Sequence, residues 1–117
     1  MDRPIVFAHR GASAYAPENT LPAFQKALDL KSEGIELDVQ LSSDGYMVVI
    51  HDETIDRTSN GTGRVTDMKF EALRQYDYGK WYGEDFTGTP IPLFQEVLTL
   101  LKDWDGLLNI EIKNNEI

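Results

Sequence analysis

The 117-residue sequence reads as an α/β protein built on parallel strands, and three observations point there. Strand and helix signals alternate in the order β-α-β-(insertion)-α-β, the pattern that yields right-handed crossovers and a parallel sheet. Two segments, Ile35-Glu36-Leu37-Asp38 and Ile110-Glu111-Ile112-Lys113, alternate apolar and charged residues, so each sends its apolar side chains to one face and its charged ones to the other. The two histidines, His9 and His51, follow the apolar runs Ile5-Val6-Phe7-Ala8 and Met47-Val48-Val49-Ile50. That places both at strand ends, where parallel α/β folds build their sites.

Each element has its own local signal. After His9 a Gly/Ala/Ser loop runs to Pro17, and Glu18-Asn19-Thr20 offers an N-cap with Pro22 in the first turn of a helix. Leu21, Phe24 and Leu28 recur at helical spacing behind it. Ile35, Leu37, Val39 and Leu41 alternate with Glu36, Asp38 and Gln40, and Ser43-Asp44-Gly45 turns the chain back through Tyr46 to Ile50 as a hairpin. Residues 52–92 are turn-rich and read as an insertion or long loop, interrupted by a helical patch over 68–76 that carries Phe70, Leu73 and Tyr76. A second helix after Pro92 sets Phe94, Val97, Leu98 and Leu101 on one face, and Asp105-Gly106 leads into a last strand over 107–113.

Composition narrows the function classes. The chain is one small domain's worth of residues, 41% apolar and 26% charged, as expected of a water-soluble globular protein. Eleven Lys and Arg against twenty Asp and Glu leave a net charge of −9, which argues against nucleic acid and anionic membrane surfaces as partners. An anionic substrate therefore needs local cations to enter. With no cysteine there is neither a disulfide framework nor a thiolate metal site, which fits a reducing compartment. The apolar run after Met1-Asp2-Arg3-Pro4 is too short for a signal-peptide core, and no stretch approaches a membrane span, so a cytoplasmic location without stable membrane insertion is expected.

If the two Ile-Glu strands lie side by side, Glu36, Asp38, Glu111 and Lys113 converge. Three carboxylates on the inward face of a sheet cost too much to bury unpaired, so a metal ion and a cation-rich ligand pocket are expected among them.

The chain also carries, in order, His9-Arg10-Gly11, Pro17-Glu18-Asn19-Thr20, Ile35-Glu36-Leu37-Asp38-Val39, Asp44-Gly45, Val49-Ile50-His51-Asp52, Arg57-Thr58-Ser59-Asn60-Gly61-Thr62-Gly63 and Ile110-Glu111-Ile112-Lys113. Together these resemble the N-terminal half of the glycerophosphodiester phosphodiesterase family, over nearly the whole chain. The resemblance implies a TIM barrel of the phospholipase C-like type, with only about the first three β/α units present. It also implies a metal-dependent hydrolase of lipid metabolism that cleaves glycerophosphodiesters to glycerol 3-phosphate and an alcohol. By position, His9 and His51 match the family's acid–base pair, Arg10 its phosphate-binding arginine, Lys113 a lysine facing the same pocket, and Glu36, Asp38 and Glu111 its metal ligands.

The residue chemistry is consistent with those roles. Oxygen-only ligands favour a hard cation, Mg²⁺ or Ca²⁺, over zinc or copper. Arg10 can grip a phosphate bidentately and Lys113 can act as a point charge. Imidazoles with an ordinary pKa near ~6.5 can remove a proton from the nucleophile and deliver one to the leaving oxygen at neutral pH, and a bell-shaped pH–rate profile is expected. Either histidine can take either task, with water or a neighbouring glycerol hydroxyl as nucleophile.

Ordinary structural roles compete with these. Arg10 and Lys113 could serve only as ion-pair partners, Asn60-Gly61-Thr62-Gly63 reads as a structural turn, and Glu18 and Asn19 read as capping and loop-fixing residues. Trp81, Tyr82 and Phe86 are expected to form the insertion's own small core.

Two departures from the family pattern stand out. Lys31-Ser32-Glu33 replaces a Gly-Ala-Asp-like turn, and Gly34 is expected to take the left-handed C-cap position. The sequence also stops after a third strand, whereas a closed barrel needs eight strands and about 250 residues. Residues 1–117 are thus expected to form a single partial domain, either a fragment or a natural truncation, prone to self-association through open sheet edges. One alternative to a working enzyme is a catalytically silent half-barrel that binds metal, phosphate or a partner; a further alternative, within hydrolases, is a lysophospholipase D-like enzyme.

Overall fold

The structure, a computed structural model, describes residues 7–113. The expected strand residues Ile5 and Val6, and the N-terminal run weighed against a signal peptide, lie outside that range. The elements are β1 (Phe7–His9), α1 (Leu21–Asp29), β2 (Gly34–Leu41), β3 (Met47–Val49), α2 (Phe70–Leu73), α3 (Phe94–Leu100) and β4 (Leu107–Ile112). The expected order of strands and helices is therefore the order found.

β2 is the centre of an open, four-stranded sheet. It pairs in parallel with β1 and β4 and antiparallel with β3. Hydrogen bonds show which edge each neighbour takes. The Glu36 and Asp38 carbonyls accept from Gly11 and Ile50, while the Glu33 and Val39 carbonyls accept from Leu107 and Lys113. Carbonyls two residues apart point to the same edge of a strand. So β1 and β3 share one edge of β2, approaching from opposite ends, and β4 pairs along the other edge from Gly34 to Val39. His9 pairs with Glu36, and Ile50 reaches Asp38, so both histidines arrive near the middle of β2.

α1 forms where its caps dictate. Thr20 is extended and its Oγ1 accepts from the Ala23 N–H, with Pro in the first turn. At the far end, the Lys31 N–H donates to Leu28 O and the Ser32 N–H to Ala27 O, both at 3.0 Å, which is a Schellman arrangement. The left-handed residue there is Lys31, at φ 57°, and not Gly34. Gly34 instead opens β2 because a Cβ there would stand 2.7 Å from the Phe7 ring. The glycine answers a packing demand, and the turn demand falls on a lysine.

The apolar residues gather in two clusters. Ala12, Phe24, Ala27, Ile35, Leu37, Val39, Val49, Val97 and Leu101 pack between the sheet and the helices α1 and α3. Along α3 and its C-cap, Val97 and Leu101 are buried as the spacing predicts, but Leu98 is exposed and Leu100 packs against the core in its place. The second cluster belongs to the segment between β3 and α3: Val48, Ile50, Ile55, Val65, Leu73, Tyr78 and Ile91. Its expected helix over 68–76 shrinks to the single turn of α2, preceded by a 3₁₀ turn at Val65–Asp67. Trp81, Tyr82 and Phe86 lie outside that cluster and meet edge to face, ring centroids 5.8 and 5.6 Å apart. Asn60 exchanges backbone and side-chain hydrogen bonds with Asp77, so this glycine-rich stretch is a structural turn. No helix among the described residues is long and apolar enough to cross a membrane.

Candidate active site

The parallel register of β2 and β4 sets Asp38 directly opposite Glu111, with Glu36 two residues before Asp38 on the same face. One carboxylate oxygen from each of Glu36, Asp38 and Glu111 lies within 4.8 Å of the others. The expected convergence is therefore present. Glu36 and Asp38 are buried, but the Glu111 side chain is 58% exposed, because no described element covers the outer side of β4. Burial raises the Glu36 carboxyl above its ordinary value, and the neighbouring Asp38 charge adds to the effect. The Arg10 N–H, donating to Glu36 Oε1 at 3.0 Å, acts against that rise.

Two cations stand among these carboxylates. Lys113 Nζ is 3.2 Å from Glu111 Oε1 and 3.7 Å from Asp38 Oδ1, and Arg10 Nε is 3.7 Å from Asp38 Oδ2. Arg10 holds a left-handed backbone, φ 55°, followed by Gly11 at φ 76°. That tight turn at the end of β1 aims the Arg10 N–H at Glu36 and its carbonyl at the Asn19 N–H. A Cβ on Gly11 would stand 2.9 Å from Ala23, so glycine is required there. His9 Nε2 lies 3.7 Å from Glu36 Oε1 on a largely exposed side chain, and His51 Nδ1 lies 2.8 Å from Asp52 Oδ1.

The donor set fits a hard divalent cation. Asp38 Oδ1 is buried without a hydrogen-bond partner, and a buried carboxylate oxygen left with two open lone pairs is an oxygen ligand in waiting. Arg10 Nε is likewise buried without a hydrogen bond, which leaves a guanidinium donor for an anionic oxygen.

This constellation can be compared with known proteins. The profile of the Glycerophosphoryl diester phosphodiesterase family matches residues 9–117. The chain belongs to that family. A glycerophosphodiester phosphodiesterase of Caldanaerobacter subterraneus subsp. tengcongensis is 53% identical over 112 residues, covering 96% of this chain and 46% of that protein. The crystal structure of a glycerophosphodiester phosphodiesterase from Agrobacterium tumefaciens superposes with a TM-score of 0.90 at 41% identity, covering 96% of this chain and 48% of the other. An Oleispira antarctica phosphodiesterase in complex with the product sn-glycerol-3-phosphate superposes with a TM-score of 0.91 at 37% identity, covering 97% and 46%. The chain thus spans about half the length of the relatives it matches, and its open parallel sheet corresponds to about half of their TIM barrel.

Within this glycerophosphodiester phosphodiesterase half, residues outside the candidate set also shape the site: Glu18 and Asn19, expected as capping and loop-fixing residues, do fix the loop, while Gln40, Asp52 and Arg57 were given no role by the sequence. Asn19 is buried in a left-handed conformation, φ 57°, and its Nδ2 donates to Asp38 Oδ2 at 3.0 Å. Glu18 accepts from both Arg10 and Arg57. Asp52 sits between His51 and Arg57. Buried Gln40 donates its amide to the carbonyls of Ile50, His51 and Asp52, at 3.3, 3.2 and 2.6 Å, and so fixes the backbone that carries His51. Glu18, Asn19, Asp52 and Arg57 all lie within the ordered motifs, which was the available signal.

Proposed function

We propose that this chain carries the metal-binding and acid–base half of a glycerophosphodiester phosphodiesterase, hydrolysing glycerophosphodiesters to glycerol 3-phosphate and an alcohol in glycerophospholipid metabolism. The observation that carries the reading is the convergence of Glu36, Asp38 and Glu111 within 4.8 Å near the middle of β2, where the ends of β1 and β3 also bring His9, Arg10 and His51. The sn-glycerol-3-phosphate bound by the Oleispira antarctica relative supports the choice of product.

In this reading Glu36, Asp38 and Glu111 would hold Mg²⁺ or Ca²⁺, which when bound polarises phosphoryl oxygens and neutralises their charge. Arg10 binds the phosphodiester, its buried Nε directed to an anionic oxygen. Lys113 shifts from its carboxylate partners toward the same phosphate as a point charge. His9 and His51 move the protons, one taking a proton from the attacking hydroxyl or water and the other supplying one to the leaving alkoxide. A single partial domain over residues 1–117, with the segment from about 52 to 92 as its insertion, and a cytoplasmic setting belong to the same proposal.

The test is release of glycerol 3-phosphate from glycerophosphocholine by the folded protein with Mg²⁺ or Ca²⁺. Release that disappears in His51→Ala is the expected result, and no release from folded, metal-loaded protein overturns the assignment for this chain. The half-length match to the relatives favours one second reading, a silent half-barrel that binds metal or phosphate without turnover. Metal binding without hydrolysis would select it, and choline release from a lysophospholipid would instead select a lysophospholipase D-like hydrolase.

A further inference from the structure

His51, Asp52, Arg57, Glu18 and Arg10 form an unbroken chain of side-chain hydrogen bonds in which donors and carboxylates alternate. Arg57 Nε donates to Asp52 Oδ2 at 2.9 Å and its Nη2 to Asp52 Oδ1 at 3.0 Å, so both carboxylate oxygens are gripped in a fork. The other side of the same guanidinium is equally engaged. Nη1 and Nη2 donate to Glu18 Oε1 and Oε2 at 3.0 and 2.9 Å, and Glu18 also accepts from Arg10 Nη1. Asp52 Oδ1 then lies 2.8 Å from His51 Nδ1.

We propose that Arg57 is a positioning residue for His51: by holding both oxygens of Asp52 it fixes that carboxylate on Nδ1, keeps the Nδ1–H tautomer, and leaves Nε2 as the nitrogen that exchanges a proton with substrate. Nothing in the assignment of His51 alone says which of its nitrogens works. A carboxylate can only accept, so the ring nitrogen against it must carry hydrogen in the neutral imidazole. An unclamped Asp52 can rotate away into water, since its side chain is a quarter exposed. Arg57 removes that freedom with two donors in one plane. Glu18 in turn ties the clamp to Arg10, so the phosphate-binding arm and the proton-transfer group are set by one shared carboxylate. Arg57 is itself 46% exposed, and an exposed ion pair adds little stability, so orientation and not folding is the function of the network.

The proposal rests on the reading of His51 as an acid–base group, but its test needs no turnover. The chain has only two histidines, so nitrogen-15 and carbon-13 correlation spectra resolve each ring, and His51→Ala assigns them. At about pH 8, where imidazoles are neutral, wild-type His51 is expected to hold the Nδ1–H tautomer. Arg57→Gln is expected to lose it and show the exchanging, mainly Nε2–H mixture of a free imidazole, with an unchanged near-UV circular dichroism spectrum. Arg57→Lys is expected to behave like Arg57→Gln, because an ammonium cannot fork two oxygens. A wild-type His51 that populates the free-imidazole mixture overturns the proposal, as does an Arg57→Gln protein that keeps the Nδ1–H tautomer. Loss of phosphodiester cleavage in all forms with the tautomer pattern intact would refute the enzymatic reading alone.

Discussion

Asn19 grips Asp38 with both ends of its carboxamide: Nδ2 donates to Asp38 Oδ2 at 3.0 Å, and Oδ1 accepts from the Asp38 backbone N–H at 3.5 Å. The contact ties the loop before α1 to the centre of β2. It occupies one oxygen of Asp38 and leaves the other, Oδ1, without a hydrogen bond, 3.7 Å from Lys113 Nζ. A loop residue thus decides which lone pairs of a strand residue remain open.

Substitution at position 19 should separate the amide from the backbone. Asn19→Ala loses the hydrogen bond to an anionic group, about 1.5–3 kcal/mol, and also forces alanine into the left-handed region at φ 57°. Asn19→Gly loses the amide but relieves the backbone. We expect both variants to be destabilised in urea titrations, with Asn19→Gly more stable than Asn19→Ala by about 1 kcal/mol. Equal losses would show that the backbone conformation carries no strain.

Metal should stabilise the chain through the three carboxylates. A ligand at about a hundred times its Kd adds about 2.7 kcal/mol to folding, seen as a rise in Tm with millimolar Mg²⁺ or Ca²⁺. Asp38→Asn, which removes the central charge, is expected to abolish the rise, and Glu111→Gln to weaken it. The effect should also depend on pH. Glu36 must be deprotonated to bind a cation, and its carboxyl is pushed above the ordinary value of 4.5 by burial and by Asp38. The metal-induced rise in Tm should therefore grow as pH climbs beyond that range and vanish below it. A Tm that ignores metal at every pH would remove the metal site.

How much of this was legible in the sequence depends on the range of each interaction. The strand pattern around Glu36 and Glu111 and the Thr20 cap act over a few residues, so periodicity and cap chemistry found them. The convergence of Asp38 and Glu111 followed from two matching alternations. The clamp was hidden because Glu18 and Arg57 stand 39 residues apart, and nothing local marks an exposed arginine in a turn-rich segment as the partner of a loop glutamate. Leu98 was misplaced because helical spacing allows it on the core face, while the sheet admits Val97 and Leu101 and leaves Leu98 outside. Lys31 was missed for a different reason: the left-handed position carries no glycine, and the nearby Gly34 is needed by the Phe7 ring.

That misplaced glycine gives a stabilising substitution. Lys31 sits at φ 57°, where an L-residue loses about 1–2 kcal/mol, and its N–H closes the Schellman turn whatever its side chain. Glycine removes that strain but loses about 0.5–1 kcal/mol of chain entropy. The balance favours Lys31→Gly by about 0.5–1 kcal/mol, read as a higher urea midpoint with an unchanged slope. A lower midpoint would mean that the lysine side chain holds the turn in a way its backbone does not reveal.

The Asp52–Arg57 clamp should reveal itself at acid pH. Hydrogen bonding from Arg57 is the chief cause that lowers Asp52 from its ordinary 3.8 to about 2. A carboxylate depressed in the folded state contributes stability above its unfolded value, and that contribution is lost as pH falls through the folded one. Arg57→Gln should therefore be less stable than wild type by a constant amount above pH 5, at most about 1 kcal/mol for so exposed a pair. The gap should narrow below pH 4 and close only below pH 2, once Asp52 is protonated in both proteins. Urea titrations of the two proteins at a series of pH values measure it directly. A gap that persisted unchanged to pH 2 would assign the contribution of Arg57 to packing of its aliphatic stem, and the charge of Asp52 would then have no part in holding the segment that follows His51.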